Sequence, residues 1–197
     1  IGVEPKKLFE ILSDENEASY SRGIIEALSI QLPEQTNLEL YEAAEHAREF
    51  QSVAAAFVES IIWRKKETLS DKLKDYINEV VIGKFDYHDY FINTILLVTS
   101  HPQNCFNSDF LHNHLMRFSM ADRDAWWTQF IHRMYPGYPD EVSVVRRMID
   151  WAWTDDKRES ISDESIRLMS QTMIWFLTSS NRTLRDSATK AIICLLQ

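Results

Sequence analysis

The sequence predicts an all-α protein, and three observations lead to that prediction. Apolar residues recur every three or four positions along nearly the whole chain, which places them on one face of a helix. No long stretch alternates between apolar and polar residues, as a half-buried strand would. Only four glycines and five prolines occur in 197 residues, which leaves few turn signals for a many-stranded protein.

The first third of the chain carries three helical patterns. A short helix is expected over Pro5–Leu12, because proline is well placed in a first helical turn. A second helix is expected over Glu15–Leu32, and Pro33 should end it. The stretch Leu38–Trp63 contains no glycine or proline, so it predicts one long helix or two helices joined near Phe50.

Capping residues and helix breakers bound the next two predicted helices. Thr68, with Asp71 three positions later, forms a capping-box pattern and predicts a helix that ends near Gly83. Asp86 is expected to cap a further helix, which stops before Pro102. Both segments carry apolar residues at helical spacing, so each should bury one face.

The rest of the chain predicts further helices of the same kind. A loop is expected at Tyr135–Pro139, where two prolines flank a glycine and a tyrosine. Ser119 is followed three positions later by Asp122, which again resembles a capping box. The expected starts of the helices are Ser108, Ser119, Val142, Ser162 and Asn181.

Charge and composition exclude several classes of function. The chain has 21 Lys+Arg against 30 Asp+Glu and a net charge of −9, without the basic footprint of a nucleic-acid-binding protein. No apolar run approaches the ~18 residues of a transmembrane helix. The start, Ile-Gly-Val-Glu-Pro, has no initiator Met or signal-peptide core, so we expect a fragment of a larger cytoplasmic protein. Cys105 and Cys194 lie in no CxxC pattern and are expected to be reduced thiols.

The order of the helices favours a repeat architecture. Helices of about 10–18 residues in pairs with short connections suit an α-solenoid, because a single pair cannot cover its own apolar face. The run from Arg185 through Ala188 and Ala191 to Ile192 follows the R-x-x-A-x-x-A-[LI] pattern of the second helix of HEAT-type repeats. We therefore predict stacked antiparallel helix pairs in a HEAT-like superhelix, forming one domain over residues 1–197.

Three stretches of the second half carry a family resemblance. They are His101-Pro-Gln-Asn-Cys-Phe with Phe110-Leu-His112, then Ser119-Met-Ala-Asp-Arg-Asp-Ala-Trp-Trp-Thr128, and finally Ser179-Ser-Asn-Arg-Thr-Leu-Arg-Asp-Ser-Ala-Thr-Lys-Ala191. Residues 100–197 resemble the helical region of bacterial STAND NTPases, which are large NACHT-like P-loop ATPases that include an antiviral group sensing phage proteins.

The resemblance implies a sensor or regulatory role. In that family an ATPase module precedes a long helical-repeat region that recognises a ligand or holds the molecule inactive. This chain contains no G-x-x-x-x-G-K-[ST] loop to cradle phosphates, so any ATPase chemistry of the parent lies outside it. We expect a non-catalytic interaction segment without a cofactor. Its partners would be a protein ligand or neighbouring repeats of the parent chain.

Tryptophan and arginine provide the candidate interaction residues. Arg123, Trp126 and Trp127 have two interpretations: helix-stabilising and packing roles, or interface anchors, for which Trp and Arg are favoured. Trp151 and Trp153 are two positions apart on a predicted helix, so they cannot both face one core, and at least one should be partly exposed.

Polar clusters with the look of metal sites are better explained by packing or solvation. His112 and His114 are two residues apart and do not share a helix face. Glu42, Glu45, His46 and Glu49 lack the Glu-x-x-His spacing of di-metal helical bundles, so they are expected to form a solvated acidic face. We therefore predict no catalytic, cofactor-binding or metal-binding residue.

The C-terminal helix is expected to be incompletely covered. Ile192, Ile193, Leu195 and Leu196 point around most of its circumference, so one domain could hardly bury them all. This predicts exposed apolar surface and possible self-association through that helix. Two alternatives to a STAND-type segment remain: a generic HEAT-like scaffold unrelated to ATPases, and a helical enzyme with a carboxylate metal site.

Overall fold

The computed structural model describes residues 22–43, 51–82, 87–135, 143–154 and 160–197. All regular structure in these residues is helical and none of them lies in a strand, so the predicted all-α class is confirmed. The chain divides into two compact units, Ile1–Thr94 and Ile95–Gln197. The prediction of one domain over residues 1–197 stays a prediction.

The first unit contains helices of unequal length. Within the described residues they are α1 Arg22–Thr36, α2 Leu40–Ala43, α3 Gln51–Ser60, a 3₁₀ turn Lys66–Thr68, and α4 Asp71–Tyr76, which continues as a π-helix over Ile77–Ile82. Helix α5, His88–Val98, begins in this unit and ends in the second.

The core of the first unit lies between α1, α3 and the helix that starts at Asp71. Helix α1 packs against α3, and α3 packs against the π-helical turn. Three aromatic rings meet there: Tyr41 stacks on Tyr76 at 4.4 Å between centroids, and Phe57 contacts both rings at 5.4 and 4.9 Å. The cluster joins residues 16 to 35 positions apart, and it fixes α2 onto the rest of the unit.

A buried ion pair connects the start of α2 to the loop after α3. Arg64 donates from Nη1 and Nη2 to the two carboxylate oxygens of Glu39, each at 2.8 Å, and the two side chains are 0% and 5% exposed. Arg64 also donates to Ser60 Oγ at 3.0 Å and to the Thr68 carbonyl at 3.3 Å. The bidentate geometry satisfies both charges in the interior.

Helix α1 extends one turn beyond the predicted end. Pro33 lies inside the helix, which ends at Thr36, so the expectation that proline would stop it was wrong. The last turn is held by Thr36 Oγ1, which donates to the Leu32 carbonyl at 2.8 Å, and by Asn37 N–H, which donates to the Pro33 carbonyl at 3.1 Å. Asn37 then takes a left-handed φ of 60°, a conformation typical of a helix C-terminus.

The N-cap of α4 is Ser70, and the prediction that Thr68 caps this helix was wrong. Ser70 Oγ accepts a hydrogen bond from Leu73 N–H at 3.2 Å. Thr68 Oγ1 instead donates to the Lys65 carbonyl at 2.9 Å, which closes the preceding 3₁₀ turn. Serine and threonine are both good N-caps, but Thr68 belongs to the preceding 3₁₀ turn, so the helix begins after Ser70.

The second unit continues the helical order. Its helices are α6 Ser108–Met116, α7 Met120–Arg123, a π-helical turn Asp124–Thr128, α8 Gln129–Arg133, α9 Val144–Trp153, α10 Asp163–Phe176 and α11 Arg182–Leu195. The N-cap predicted at Ser119 is confirmed. The helix starts expected at Ser162 and Asn181 are also N-caps, since each of the three side chains accepts a backbone N–H of the first turn. Helix α9 begins at Val144 after a Ser143 cap.

Helix α11 packs against two neighbouring helices of the second unit. It packs against α10 and α9, and α10 also packs against α6. Ala188 and Ala191 of α11 are fully buried, as are Leu184 and Phe176. The absence of a large side chain at the two alanines permits close approach of the neighbouring helices.

We expect Ala188→Leu to overpack this contact and lower the free energy of unfolding by about 1–3 kcal/mol. Ala188 has no exposed surface, so a larger side chain must displace a neighbour. Lys190→Leu, at an exposed position of the same helix, is the matched control and should have little effect. Urea unfolding measures both variants, and an unchanged midpoint for Ala188→Leu would show that the site is loosely packed.

The C-terminal helix leaves part of its apolar surface uncovered, as predicted. Ile193 and Leu196 are 52% and 70% exposed, whereas Leu195 is buried and Ile192 is half-buried. Exposure follows the helical period, since the buried residues Ala188, Ala191 and Leu195 share one face.

Several predicted features lie outside the described residues. They are the helix Pro5–Leu12, the first part of the helix Glu15–Leu32, the junction near Phe50, the residues Gly83 and Asp86, and most of the loop Tyr135–Pro139. In the part of the chain that is described, none of the helices combines the length and apolarity needed to span a membrane.

Candidate protein-interaction site

Trp127, one of the candidate anchors, is a core residue. It is fully buried, stacks with Phe130 and Phe176, and donates from Nε1 to Thr178 Oγ1 at 3.1 Å and to the Trp175 carbonyl at 3.3 Å. Its polar group is therefore satisfied inside the unit, and no surface of it faces a partner. This burial favours the structural interpretation of Trp127, and its recognition role stays a prediction.

Trp126 belongs to an aromatic cluster at the edge of the second unit. Its half-buried ring meets Phe118 edge-on at 5.3 Å and His114 at 6.2 Å between centroids. The π-helical turn Asp124–Thr128 contains both tryptophans. Trp127 lies in the core, and Trp126 is half-buried. Such turns occur often at functional sites, but here the turn orients packing residues.

Arg123 is held by contacts within the unit. Its guanidinium lies over the ring of Trp175 at 5.5 Å from the centroid, and Nη1 is 3.7 Å from the sulfur of Met116. Cation–π contacts of this kind contribute about 0.5–1 kcal/mol at partly exposed sites. Arg123 thus links α7 to α10, which agrees with its predicted structural role.

Trp151 and Trp153 are both partly exposed, whereas their spacing required this of at least one. They are 38% and 45% exposed, whereas Ala152 between them is fully buried. Neither indole is in the core, so both remain candidates for contact with a partner. Large exposed aromatic side chains are favoured as anchors in protein interfaces.

Trp151 forms one wall of an apolar groove in the second unit. The groove has a volume of about 360 Å³ and is open to solvent along one side. Its floor consists of apolar side chains that are at least nine-tenths buried: Leu96, Val144, Met148 and Met169. The exposed side chains of Leu97 and Trp151 form the walls, and Ser100 and Arg147 supply the polar rim.

Arg147 is the charged member of this groove. Its side chain is exposed and makes no ion pair with a carboxylate of the described residues. The adjacent Arg146 differs, because it pairs with Asp150 at 3.3 Å and lies over the Tyr135 ring. Of these two neighbours on α9, Arg146 is therefore held by contacts within the unit, whereas Arg147 lines the groove.

Sequence reasoning identified Trp151 but missed the groove and Arg147. Val144, Arg147, Met148 and Trp151 follow an i, i+3, i+4, i+7 spacing, so they share one face of α9. This pattern was visible in the sequence, although it predicts only a core-facing stripe. The partners of that stripe come from α5 and α10, and no local pattern indicates them.

The polar clusters considered for metal binding are separated in the structure. His112 lies beside the Trp175 ring, whereas His114 is buried against Phe110 and Phe118, so the two imidazoles have different surroundings. Glu42 binds Lys72 at 2.8 Å and accepts the Glu39 N–H. Glu45, His46 and Glu49 lie outside the described residues, and among the residues that are described no group of three potential ligands converges.

An exposed ion network joins α6 to α10. Arg167 binds both carboxylate oxygens of Asp109 at 2.8 and 3.1 Å, and both oxygens of Glu164 at 2.7 and 2.9 Å. The hydrogen bonds from Arg167 hold the pKa of Asp109 and the pKa of Glu164 below their usual ranges. The network is at the surface, so we expect it to orient the helices more than to stabilise them.

We expect Arg167→Gln to raise the pKa of both carboxyl groups toward the values of free Asp and Glu. Because the folded-state pKa is lowered, each group contributes stability above its unfolded pKa, and this contribution is lost as the pH falls through the folded pKa. The window is therefore acidic, below about pH 4. Carboxyl-carbon NMR titration of the wild type and the variant measures the shift.

The two cysteines form no disulfide, and both thiols are partly buried. Among the features of the described second unit, the apolar groove fits a binding role best.

Comparison with protein-family models, with curated proteins and with solved structures found no match to this chain.

Proposed function

We propose that this chain is a non-catalytic, protein-binding helical-repeat segment of a larger STAND-type ATPase. The observation that carries the proposal is the apolar groove with the exposed walls Leu97 and Trp151. Exposed apolar side chains around a preformed cavity are characteristic of surfaces that bind other proteins. In this proposal the segment acts in the cytoplasm, by shape-complementary binding of a protein ligand or of neighbouring repeats.

The resemblance to antiviral STAND ATPases supports the placement in a larger enzyme. The stretches that carry it, Ser119–Thr128 and Ser179–Ala191, contain residues with structural duties: Trp127 fills the core, Asn181 caps α11, and Ala188 packs in its centre. In this proposal these stretches form the helical scaffold that the chain has in common with that family. A ligand-binding face can vary on such a scaffold without altering them.

The last two helices are the basis for proposing a HEAT-like arrangement. Helices α10 and α11 are joined by five residues, 177–181, and pack against each other, and a short connection favours antiparallel neighbours. Arg185 Nη1 donates to the Ser179 carbonyl at 2.7 Å. Arg185, the arginine of the repeat pattern, thus connects α11 to the turn before it. Ala188 and Ala191, the alanines of the pattern, permit close packing of the helices.

A generic HEAT-like scaffold is the second candidate, and the same Arg185–Ala188–Ala191 geometry favours it. That pattern describes how two helices pack and requires no ATPase. The coding sequence upstream of Ile1 decides between the two candidates. A G-x-x-x-x-G-K-[ST] loop that precedes this segment supports the STAND assignment, and its absence from the parent supports the generic scaffold.

We expect the isolated chain to bind no ATP, because it has no phosphate-cradling loop and carries a net charge of −9. Calorimetric titration with ATP and magnesium should give no heat of binding, whereas the longer parent should bind the nucleotide. Micromolar affinity in the isolated chain would contradict the non-catalytic assignment. Stoichiometric metal in the purified chain would instead support the carboxylate metal enzyme.

A further inference from the structure

The groove between α5, α9 and α10 combines an apolar interior with one exposed cation. Its buried floor is formed by Leu96, Val144, Met148 and Met169, and Arg147 is at the rim. A guanidinium that a partner covers must receive a hydrogen-bonded counter-charge, because an unpaired buried charge is costly. The described residues around the groove supply no carboxylate to Arg147.

We propose that this groove binds an amphipathic helix of another protein, which places apolar side chains against the floor and a carboxylate on Arg147. This proposal rests on the protein-binding role proposed above and specifies the chemistry of the partner. An Asp or Glu side chain can accept two parallel hydrogen bonds from the guanidinium, which fixes the direction of the bound helix. Helix-in-groove recognition uses apolar anchors at i, i+3, i+4 and i+7.

The shape of the groove favours a protein segment over a small molecule. Small-molecule sites enclose about 70–90% of their ligand. This groove is open along one side, and its walls Leu97 and Trp151 are 44% and 38% exposed. A helix that continues beyond the groove would cover both walls, whereas a compact ligand on the floor would leave them in solvent.

Charge disfavours a second copy of this chain as the occupant. The exposed apolar surface of α11 presents Ile193 and Leu196 beside Lys190, and the carboxylate nearest to it in the sequence, Asp186, is already paired with Arg182 at 3.6 Å. Docking that surface into the groove would bring Lys190 toward Arg147, and the only carboxylate on that part of α11, Asp186, already has Arg182 as its partner. A partner of different sequence, with an acidic residue beside its apolar stripe, has the required complementarity.

The test selects helical peptides from a displayed library against the immobilised full-length chain. We expect the enriched peptides to combine apolar residues at helical spacing with an Asp or Glu. The leading peptide, made synthetically with a fluorescent label, should bind Trp151→Ala about tenfold or more weakly, because Trp151 forms a wall of the groove. Trp153→Ala is the matched control, since Trp153 is similarly exposed on α9 but does not line the groove.

The charge is tested by reversal. Arg147→Glu should weaken the acidic peptide about tenfold or more, and should restore binding to a twin peptide whose carboxylate is replaced by Lys. Arg117→Glu is the matched control, because it makes the same charge change at an exposed residue outside the groove. Equal loss in Arg117→Glu and Arg147→Glu would overturn the proposal by showing a non-specific charge effect.

Other outcomes contradict the proposal in distinct ways. Failure to enrich peptides with acidic and apolar residues, or enriched peptides that ignore Trp151→Ala and Arg147→Glu, would remove the groove as their site. Sedimentation that shows a dimer abolished by Arg147→Glu would assign the groove to a second copy. None of these results depends on a P-loop upstream of Ile1, so the groove proposal and the ATPase assignment can fail independently.

Discussion

Replacing Arg64 with alanine is expected to lower the free energy of unfolding by about 3–5 kcal/mol, the usual cost of removing one partner of a buried ion pair. The variant would leave the Glu39 carboxylate in the interior without its bidentate donor. It would also remove the hydrogen bonds from Arg64 to Ser60 and Thr68, which anchor the loop after α3.

Two further variants separate the buried charge from other effects. Lys65→Ala removes a neighbouring pair with Glu34, whose lysine is 67% exposed, and should lower the free energy of unfolding far less than Arg64→Ala does. The double change Arg64→Met with Glu39→Leu removes both charges and should recover most of the loss, because apolar replacements of a buried pair are often neutral.

Urea unfolding followed by circular dichroism measures these differences. Amide hydrogen exchange assigns the loss to residues 22–82 of the first unit, where we expect protection to fall. If Arg64→Ala and Lys65→Ala destabilise equally, the Arg64–Glu39 pair is accessible to water and its burial is not the source of its effect.

Trp127→Ala is expected to cost about 3–5 kcal/mol, as is usual for truncating a large buried aromatic side chain. The indole is fully buried, stacks on two phenylalanines and donates to Thr178. The substitution would leave a cavity between the helices α8 and α10. Trp127→Phe keeps an aromatic ring there but loses the donor, so its cost should be intermediate.

Trp153→Ala provides the comparison for Trp127→Ala. Trp153 is 45% exposed, so its loss should change the free energy of unfolding by about 0.5 kcal/mol or less. Far-UV circular dichroism during urea unfolding is the suitable measurement, because tryptophan fluorescence changes with the residue itself. Similar midpoints for Trp127→Ala and Trp153→Ala would contradict the assignment of Trp127 to the core.

Several sequence predictions succeeded because they depend on interactions within one helix. The caps at Ser119, Ser162 and Asn181 each accept the backbone N–H three positions further on, so local sequence is sufficient. The two-residue spacing of Trp151 and Trp153 was sufficient to predict that they do not both face one core. The predictions at Pro33 and Thr68 failed by four and two residues, because a helix end and a 3₁₀ turn can each satisfy the backbone in more than one register.

The sequence could not assign the roles of Trp126 and Trp127. They are adjacent, equally large and equally suited to a core or an interface. A π-helical turn orients them, and the rings that meet Trp127 include Phe176, which is 49 positions further along the chain. The distinction between a core anchor and a surface anchor therefore depends on helices that are distant in sequence.

The sequence by itself determined the helical class, most helix starts and the incompletely covered face of the last helix, since each follows from residues within a few turns of one another. Only the tertiary structure decided the Arg64–Glu39 pair, the buried position of Trp127 and the groove that exposes Arg147. These features join side chains that are 25 to 73 positions apart, such as Leu96 and Met169 in the groove. Their contacts form when helices pack, and no periodicity within a single helix contains that information.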